Sequence, residues 1–543
     1  MKNLQWLYWA VFIAYSLAMI AVGFWAAKRA KEDDGDPSRN TSFWLAGRKL
    51  PGWWLGASLT SGWLMLGWIA FGMAQIYTYG VTGLWLLQIP WLLLCIALPF
   101  LVPLYRKIPA ISVPQSIHRR FGGNLRAWMA LCCFAVFLCW TGAELYIIKV
   151  LCPGFLGMGG HENLLLVLFI LPMIVYTLMG GFRACVATDV IQFGIMAVFM
   201  IVLAGWAVVQ ASHAAGDAGI LAALQQAAAK PVIPDTPRSF NLLNNGWIFP
   251  VMLLVGYLPG WFIEQDLAVR MQAAETTRSA RSGAWTASIL ISVFVIILPA
   301  IAAFCAIIVF PAGSEAGKAI AVNAEYTRIV AGYIEQMPTG LALFMFVGIL
   351  ACQMSTVDTF ANVTALALGY DLARGDTMSN PRRRRAFMLG TTLIAFLGAL
   401  VYALFAEKLG DVYYLSSGVL SGCVAVPAIA IFWRRANAAG IWVGSLAGLA
   451  ATFACYWFEY KYLSLTDAAS PLYYTKVLPG WLSGAAGYLY IGAGVIVAAI
   501  ATVIVSLACN AIRQTKTNPG CELLDAPAAD GIAPIAEVSD TIL

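Results

Sequence analysis

Between Gly348 and Leu372 the chain is apolar enough for a membrane interior, yet it carries Cys352, Ser355, Thr356, Asp358 and Thr359. Positions 352, 355, 356 and 359 follow the i, i+3, i+4, i+7 spacing of one helix face. Oxygen groups inside lipid are costly unless they are bonded or used. Hydroxyls beside a carboxylate are the ligand type that small hard cations prefer, so the stripe is a candidate seat or path for such an ion. Ser, Thr and Cys also collect where membrane helices touch, and packing is the competing explanation of this segment taken alone.

Two other apolar stretches carry interruptions at mid-span. The stretch from Pro51 to Gly80 holds Ser58, Thr60, Ser61 and Gly62 at its centre. Glycine is a poor helix former and Ser competes for backbone bonds, which predicts an unwound turn around Ala57–Gly62 with carbonyls free for a cation. The stretch at 246–272 has Gly256, Pro259 and Gly260 at its centre; proline removes a backbone donor there. Counted along the chain, the two interrupted spans are five apart. Five helices opened by a broken one, then five more opened by a broken one, is the order of inverted-repeat transporters, and an odd repeat enters the membrane from the opposite face.

The elements that must position these groups are membrane helices. Hydrophobic residues make up 61% of the 543 and charged residues 11%, against about 25% charged in an ordinary soluble domain. Apolar runs of helix-spanning length recur from end to end. The fold class is all-α and polytopic, with about thirteen transmembrane helices, among them 4–27, 53–79, 164–180, 184–211, 246–272 and 481–512. The expected organisation is a leading helix and loop (1–50), a first five-helix repeat (51–211), a second (246–433), two additional helices (434–512) and a disordered tail (513–543).

Charge sets the expected orientation. Alternate loops carry 24 of the 33 Lys and Arg, including Lys28, Arg39, Arg106, Arg119, Arg270, Arg382–Arg385, Arg434 and Lys516. By the positive-inside rule that side is cytoplasmic, which places the amino terminus outside and the carboxyl terminus inside a cell membrane. Arg382–Arg385 suits anionic lipid as a neighbour rather than nucleic acid. The twelve cysteines lie mostly in apolar spans without a C-x-x-C pair, and the three histidines are isolated. No phosphate-binding loop, G-x-S-x-G or H-E-x-x-H occurs, so an enzyme is not expected.

Several motifs together resemble the sodium:solute symporter family. They are Tyr176-Thr177-Leu178-Met179-Gly180-Gly181-Phe182-Arg183-Ala184 followed by Thr188, Asp189 and Gln192; Gln265 with Arg270, Ala273 and Ala274; Ser61-Gly62-Trp63; and Met354-Ser355-Thr356-Val357-Asp358. The resemblance covers roughly residues 5–460 in order. It implies a main sodium site formed by the carbonyls of Ala57, Thr60 and Cys352 and the hydroxyls of Ser355 and Thr356. It also implies, for some members, a second cation site corresponding to Asp189, Ser355, Asp358 and Thr359. Several neutral dipoles suit a dehydrated monovalent ion. Leu59 stands where proline carriers have an aspartate, which counts against proline as the solute.

The solute is expected between the two broken helices at mid-membrane. Candidates facing it are Ser61, Trp140, Glu144, Tyr257, Trp261 and Gln265. A carboxylate at Glu144 favours an amine-bearing or other polar solute through charge-assisted hydrogen bonds, and the tryptophans could pack on ring faces or cations. Gly260 stands where sugar carriers tend to have a gating tyrosine, which counts against a sugar. The expected function is sodium-coupled symport of a small organic solute by alternating access, with sodium as coupling ion, lipid as surroundings and a monomer sufficient. A proton-coupled or ion-independent carrier and a solute sensor are the alternatives.

Overall fold

Long apolar runs can satisfy their backbone in lipid only as helices or closed barrels, and the chain takes the first solution. A computed structural model of the protein describes residues 4–34, 40–108, 110–122, 124–232, 238–320, 328–406, 410–465, 467, 470–513 and 520–525. Among them there is no β-strand, only three isolated bridges such as Leu50–Ala274.

The principal helices are α1 (Gln5–Asp34), α2 (Gly52–Trp63), α3 (Leu66–Tyr79), α4 (Gln88–Lys107), the short α5 (Val113–Phe121), α6 (Leu125–Leu151) and α7 (Glu162–Ala215). They continue with α8 (Ile248–Trp261), α9 (Gln265–Ala273), α10 (Thr277–Val309), α11 (Thr339–Leu372), α12 (Pro381–Phe405), α13 (Val412–Ala430), α14 (Ala438–Tyr462) and α15 (Leu489–Arg513). Ten described helices are long and apolar enough to cross a bilayer, and the bent pairs α2–α3 and α8–α9 bring the total to twelve. The sequence predicts thirteen. The difference lies in α7, where spans 164–180 and 184–211 form one helical stretch of 54 residues. At 1.5 Å per residue that is roughly 80 Å, more than twice the hydrocarbon thickness. The bend falls at Gly181, with φ 56° and ψ −149°. Only glycine adopts that backbone cheaply, and a Cβ there would come within 3.0 Å of the Phe43 carbonyl.

Both broken spans exist, but each break lies further along than the sequence predicts. Residues Ala57–Gly62 are helical; α2 runs to Trp63 and the chain turns at Leu64 and Met65, with 59° between α2 and α3. Gly256, Pro259 and Gly260 are likewise inside α8, and the turn comes at Phe262–Glu264, with 42° between α8 and α9. Each pair opens a run of helices of the five-plus-five type, the bent α7 supplying the last two members of the first run.

The core is rich in large side chains, with Trp44, Trp63, Trp68, Trp140 and Trp261 all buried. Phe24, Ile96, Phe100, Ile289, Ile394 and Ile504 are exposed on the outside, as helices facing lipid require. Within the tail expected to be disordered, Cys521–Leu524 forms a 3-10 turn. Its Cys521 Sγ accepts from Arg120 Nη2 at 3.1 Å, and Asp525 pairs with Arg434. Residues 514–519 and 526–543, with Lys516, and loop residue Arg39 lie outside the described residues.

Candidate cation and solute site

The polar stripe of α11 faces inward, and Cys352, Ser355, Thr356, Asp358 and Thr359 are all buried. Ser355 Oγ donates to Asp189 Oδ1 on α7 at 2.6 Å and lies 2.7 Å from Ser61 Oγ on α2, so Ser61 supplies the hydrogen of that second bond. This contact brings the stripe against the last turn of α2. There the Leu64 amide donates to the Ser61 carbonyl at 3.2 Å rather than to Thr60. The Thr60 carbonyl thus belongs to the group that a helix end leaves without an internal donor. Thr60 Oγ1 turns back to the Gly56 carbonyl at 2.8 Å, so Thr60 offers its backbone oxygen, not its hydroxyl. Thr356 Oγ1 is buried with no hydrogen-bond partner. An orphan buried hydroxyl one residue after Ser355, which itself touches the open end of α2, is a chemical fit for a small cation, since such a group is expensive to bury unused.

The second expected set is organised differently. Asp189 Oδ2 accepts from Ser58 Oγ at 2.6 Å and from Arg270 Nη2 at 3.2 Å. The same Nη2 donates to Thr359 Oγ1 at 3.1 Å, and Arg270 Nε donates to Ser58 Oγ at 3.1 Å. Arg270 and Asp189 are wholly buried. A guanidinium therefore holds Asp189 and Thr359, and repulsion between like charges disfavours a second cation beside it. The expectation of a cation on these residues gives way, in this conformation, to an ion pair. Asp358 sits apart from the arginine: its Oδ2 accepts from Tyr176 OH at 2.7 Å, while its Oδ1 has no partner. Asp266 extends the network, accepting from Trp63 Nε1 at 2.8 Å and from Arg270 Nη1 at 3.5 Å. Asp266 was not singled out from sequence; its place four residues before Arg270 on one helix face was the available signal.

Of the six expected solute contacts, Tyr257 and Trp261 stack on one another at 4.5 Å with a 9° interplanar angle. Trp261 meets Trp68 and Trp91 edge-on at 6.4 and 6.1 Å, and Trp91 stacks with Trp63 at 6.0 Å. Aromatic walls thus line the junction of α2, α3, α4 and α8. Ser61 belongs to the cation cluster. Trp140 donates to Ser416 Oγ at 2.6 Å and packs near Phe360. Gln265 lies beyond the break, where its Oε1 accepts from the Val113 amide at 3.0 Å; it braces α5 instead of facing the aromatic walls.

Glu144 corrects the sequence expectation most. Its Oε2 accepts from the Gly67 amide at 2.9 Å, and its Oε1 accepts from the Trp68 amide at 3.2 Å and Tyr413 OH at 2.8 Å. Gly67 and Trp68 are the second and third residues of α3, whose opening amides lack helical partners. A carboxylate on α6 therefore caps α3 from outside, where the helix carries partial positive charge. These three donors fill the role assigned to a solute amine.

Comparison with known proteins shows the family. The sodium:solute symporter family model matches residues 43–448.

The chain belongs to the sodium:solute symporter family.

It is similar to a sodium/glucose cotransporter of Vibrio parahaemolyticus, 24% identical over 476 residues, covering 81% of this chain and 83% of that protein. It is also similar to a sodium/mannose cotransporter of Bos taurus, 26% identical over 491 residues, with 81% and 77% covered. Among solved structures, a substrate-bound outward-open sodium-coupled sialic acid symporter shares the fold at a TM-score of 0.71 and 19% identity, covering 92% of this chain and 97% of that one. This symporter is a multi-pass membrane transporter that couples a small solute to sodium, and it is not an enzyme.

Proposed function

We propose that this symporter moves a small neutral polar solute into the cell with sodium, across the cell membrane, its amino terminus outside and its carboxyl terminus cytoplasmic. The uneven distribution of Lys and Arg between alternate loops supports that orientation. Sodium is held by the carbonyls of Ala57, Thr60 and Cys352 and the hydroxyls of Ser355 and Thr356. The observation that carries this assignment is the buried, unpartnered Thr356 hydroxyl one residue from the Ser355–Ser61 contact.

A neutral solute is favoured by electrostatics. A half-helix start can attract a carboxylate, but here Glu144 already offsets that partial charge. Its occupied oxygens also remove the earlier support for an amine. Aromatic walls suit the apolar face of a ring, and the buried Ser417 hydroxyl has no partner and can bond a solute hydroxyl. The relatives are named as cotransporters of glucose or mannose, solutes of this neutral, hydroxyl-rich class.

In the cycle, the Arg270–Asp189–Ser58–Asp266 network ties α2, α7 and α9 together and closes the cytoplasmic side. Sodium stabilises the state open to the outside, solute joins it, and release of the network lets both leave inward. Linkage makes the coupling reciprocal: each ligand raises the affinity of the other by the same factor. A thermal-shift screen of the purified protein in sodium and in choline, against cyclic polyols, amino acids, carboxylates and nucleosides, tests the proposal. A polyol that stabilises only in sodium is expected; stabilisation by a carboxylate or an amine instead would overturn the solute class. Asp358, with one unpartnered oxygen, favours proton coupling as the second reading. Uptake that survives replacement of sodium by choline and follows the pH gradient would select it.

A further inference from the structure

The first turn of α5 is bonded on two sides. Ser112 is its N-cap: Oγ accepts from the Gln115 amide at 3.1 Å and gives its one hydrogen to Asp371 Oδ1 at 2.7 Å. Gln115 Oε1 accepts from the Ile111 amide at 2.8 Å, and its Nε2 donates to Tyr370 OH at 3.0 Å. The Val113 amide has no helical partner at this position and donates to Gln265 Oε1 at 3.0 Å. Ser112, Gln115, Gln265 and Asp371 are all buried.

The two sides belong to different parts of the transporter. Gln265 begins α9, just past the bend of the span whose Tyr257 and Trp261 stack in the aromatic wall. Gln272, near the far end of α9, donates from Nε2 to the carbonyls of Tyr105 at 2.6 Å and Ile108 at 3.2 Å. The segment that leads into α5 is therefore tied along the length of α9. Tyr370 and Asp371 lie at the end of α11, roughly four turns beyond Ser355 and Thr356 on the same helix. Arg126 of α6 steadies that end, its Nε donating to Asp371 Oδ1 at 2.8 Å and its Nη2 to the Tyr370 carbonyl at 3.1 Å. A buried donor pulled from its acceptor has no water to replace it, so a shift of the α11 end must carry α5, and α5 must carry α9.

We propose that Ser112, Gln115 and Gln265 are positioning residues through which sodium on α11 sets the placement of α9, so that the start of α5 couples the ion to the solute. They act through α11 and α9 and not by touching the ion. The coupling rests on the sodium assignment made above, and its test separates the two.

Hydrogen exchange of the purified full-length protein, read by mass spectrometry in sodium and in choline at equal ionic strength, needs no solute. In the wild type, sodium should slow exchange in peptides of α2 and α11 and also in the peptide over 111–121, with one half-maximal sodium concentration for all three. Ser112→Ala and Gln265→Leu each remove one side of the connection. Each should abolish the sodium effect at 111–121 and, by lowering the fraction of molecules in the sodium-competent state, raise the half-maximal sodium concentration at α11 about threefold. Ser112→Thr keeps the cap and the hydroxyl and should behave as the wild type does. Sodium protection confined to α2 and α11 in the wild type would overturn the coupling and leave the sodium site standing. Variants that melt lower in choline yet titrate with sodium unchanged would reduce α5 to a structural brace and overturn it as well. Absence of any sodium effect, at α2 and α11 included, would remove the sodium assignment and the coupling with it.

Discussion

The Arg270 guanidinium lies 3.2 Å from the Asp189 carboxylate, and neither side chain reaches the surface. Burying two charges is costly unless their remaining hydrogen-bonding capacity is met, and here Ser58, Ser355, Thr359 and Asp266 meet it. The pair joins the end of the second broken span to α7, and through Ser58 to the first. An arrangement so fully satisfied is stable when closed, so opening it requires compensation from the ligands.

Arg270→Gln leaves Asp189 as a buried charge without its counterion. Breaking one side of such a pair costs about 3–5 kcal/mol. The double variant Arg270→Gln/Asp189→Asn should recover part of that loss. Thermal unfolding of the four proteins in a double-mutant cycle measures the coupling; a double variant no more stable than Arg270→Gln would remove the pair from the account.

Thr356→Ala removes a hydroxyl that bonds to nothing else in the protein. Its effect on folding should therefore be small. Its effect on sodium should be large, on the order of a tenfold rise in the concentration for half-maximal uptake, which is about 1.4 kcal/mol. Uptake titrated with sodium at fixed ionic strength checks this. An unchanged sodium dependence would exclude Thr356 as a ligand.

Glu144→Gln keeps the shape but leaves one acceptor oxygen for the two amides and Tyr413 OH, and adds donors where none are wanted. Loss of a helix cap of this kind costs about 1–2 kcal/mol. The melting temperature should fall, and uptake of every accepted solute should fall together. A loss confined to cationic solutes would return Glu144 to the binding site.

Gly67→Ala places a methyl 2.7 Å from Glu144 Oε1 and 2.9 Å from Tyr413 OH. The carboxylate must move off the α3 amides, so the variant should lose stability much as Glu144→Gln does. Because both act on one contact, their effects should be less than additive. Full additivity of the two melting shifts would show that the methyl acts elsewhere.

How much of this was legible in the sequence follows from the range of each interaction. The stripe at 352–359 was readable because helical period and the cost of polar groups in lipid are local properties. The family and the broken spans were readable from short motifs and from Gly and Pro. The position of the first break was not. Ser58 and Ser61, expected to unwind the helix, spend their hydroxyls on Asp189 and Ser355, while the carboxylate that caps the next helix comes from Glu144, 77 positions away from Gly67. Arg270 stood in a quoted motif, but its partner Asp189 is 81 residues distant, and nothing in either neighbourhood names the other. The sequence thus revealed which residues matter more readily than which of them are already spoken for.

The turn at Cys521–Leu524 has a consequence for biogenesis. It follows every described span and reaches back to Arg120, 401 positions earlier, so this brace cannot close until all the helices have been inserted. A chain cut short before Gly520 would complete its membrane insertion and still lack the strap, leaving α5 and the end of α13 to part more easily on heating.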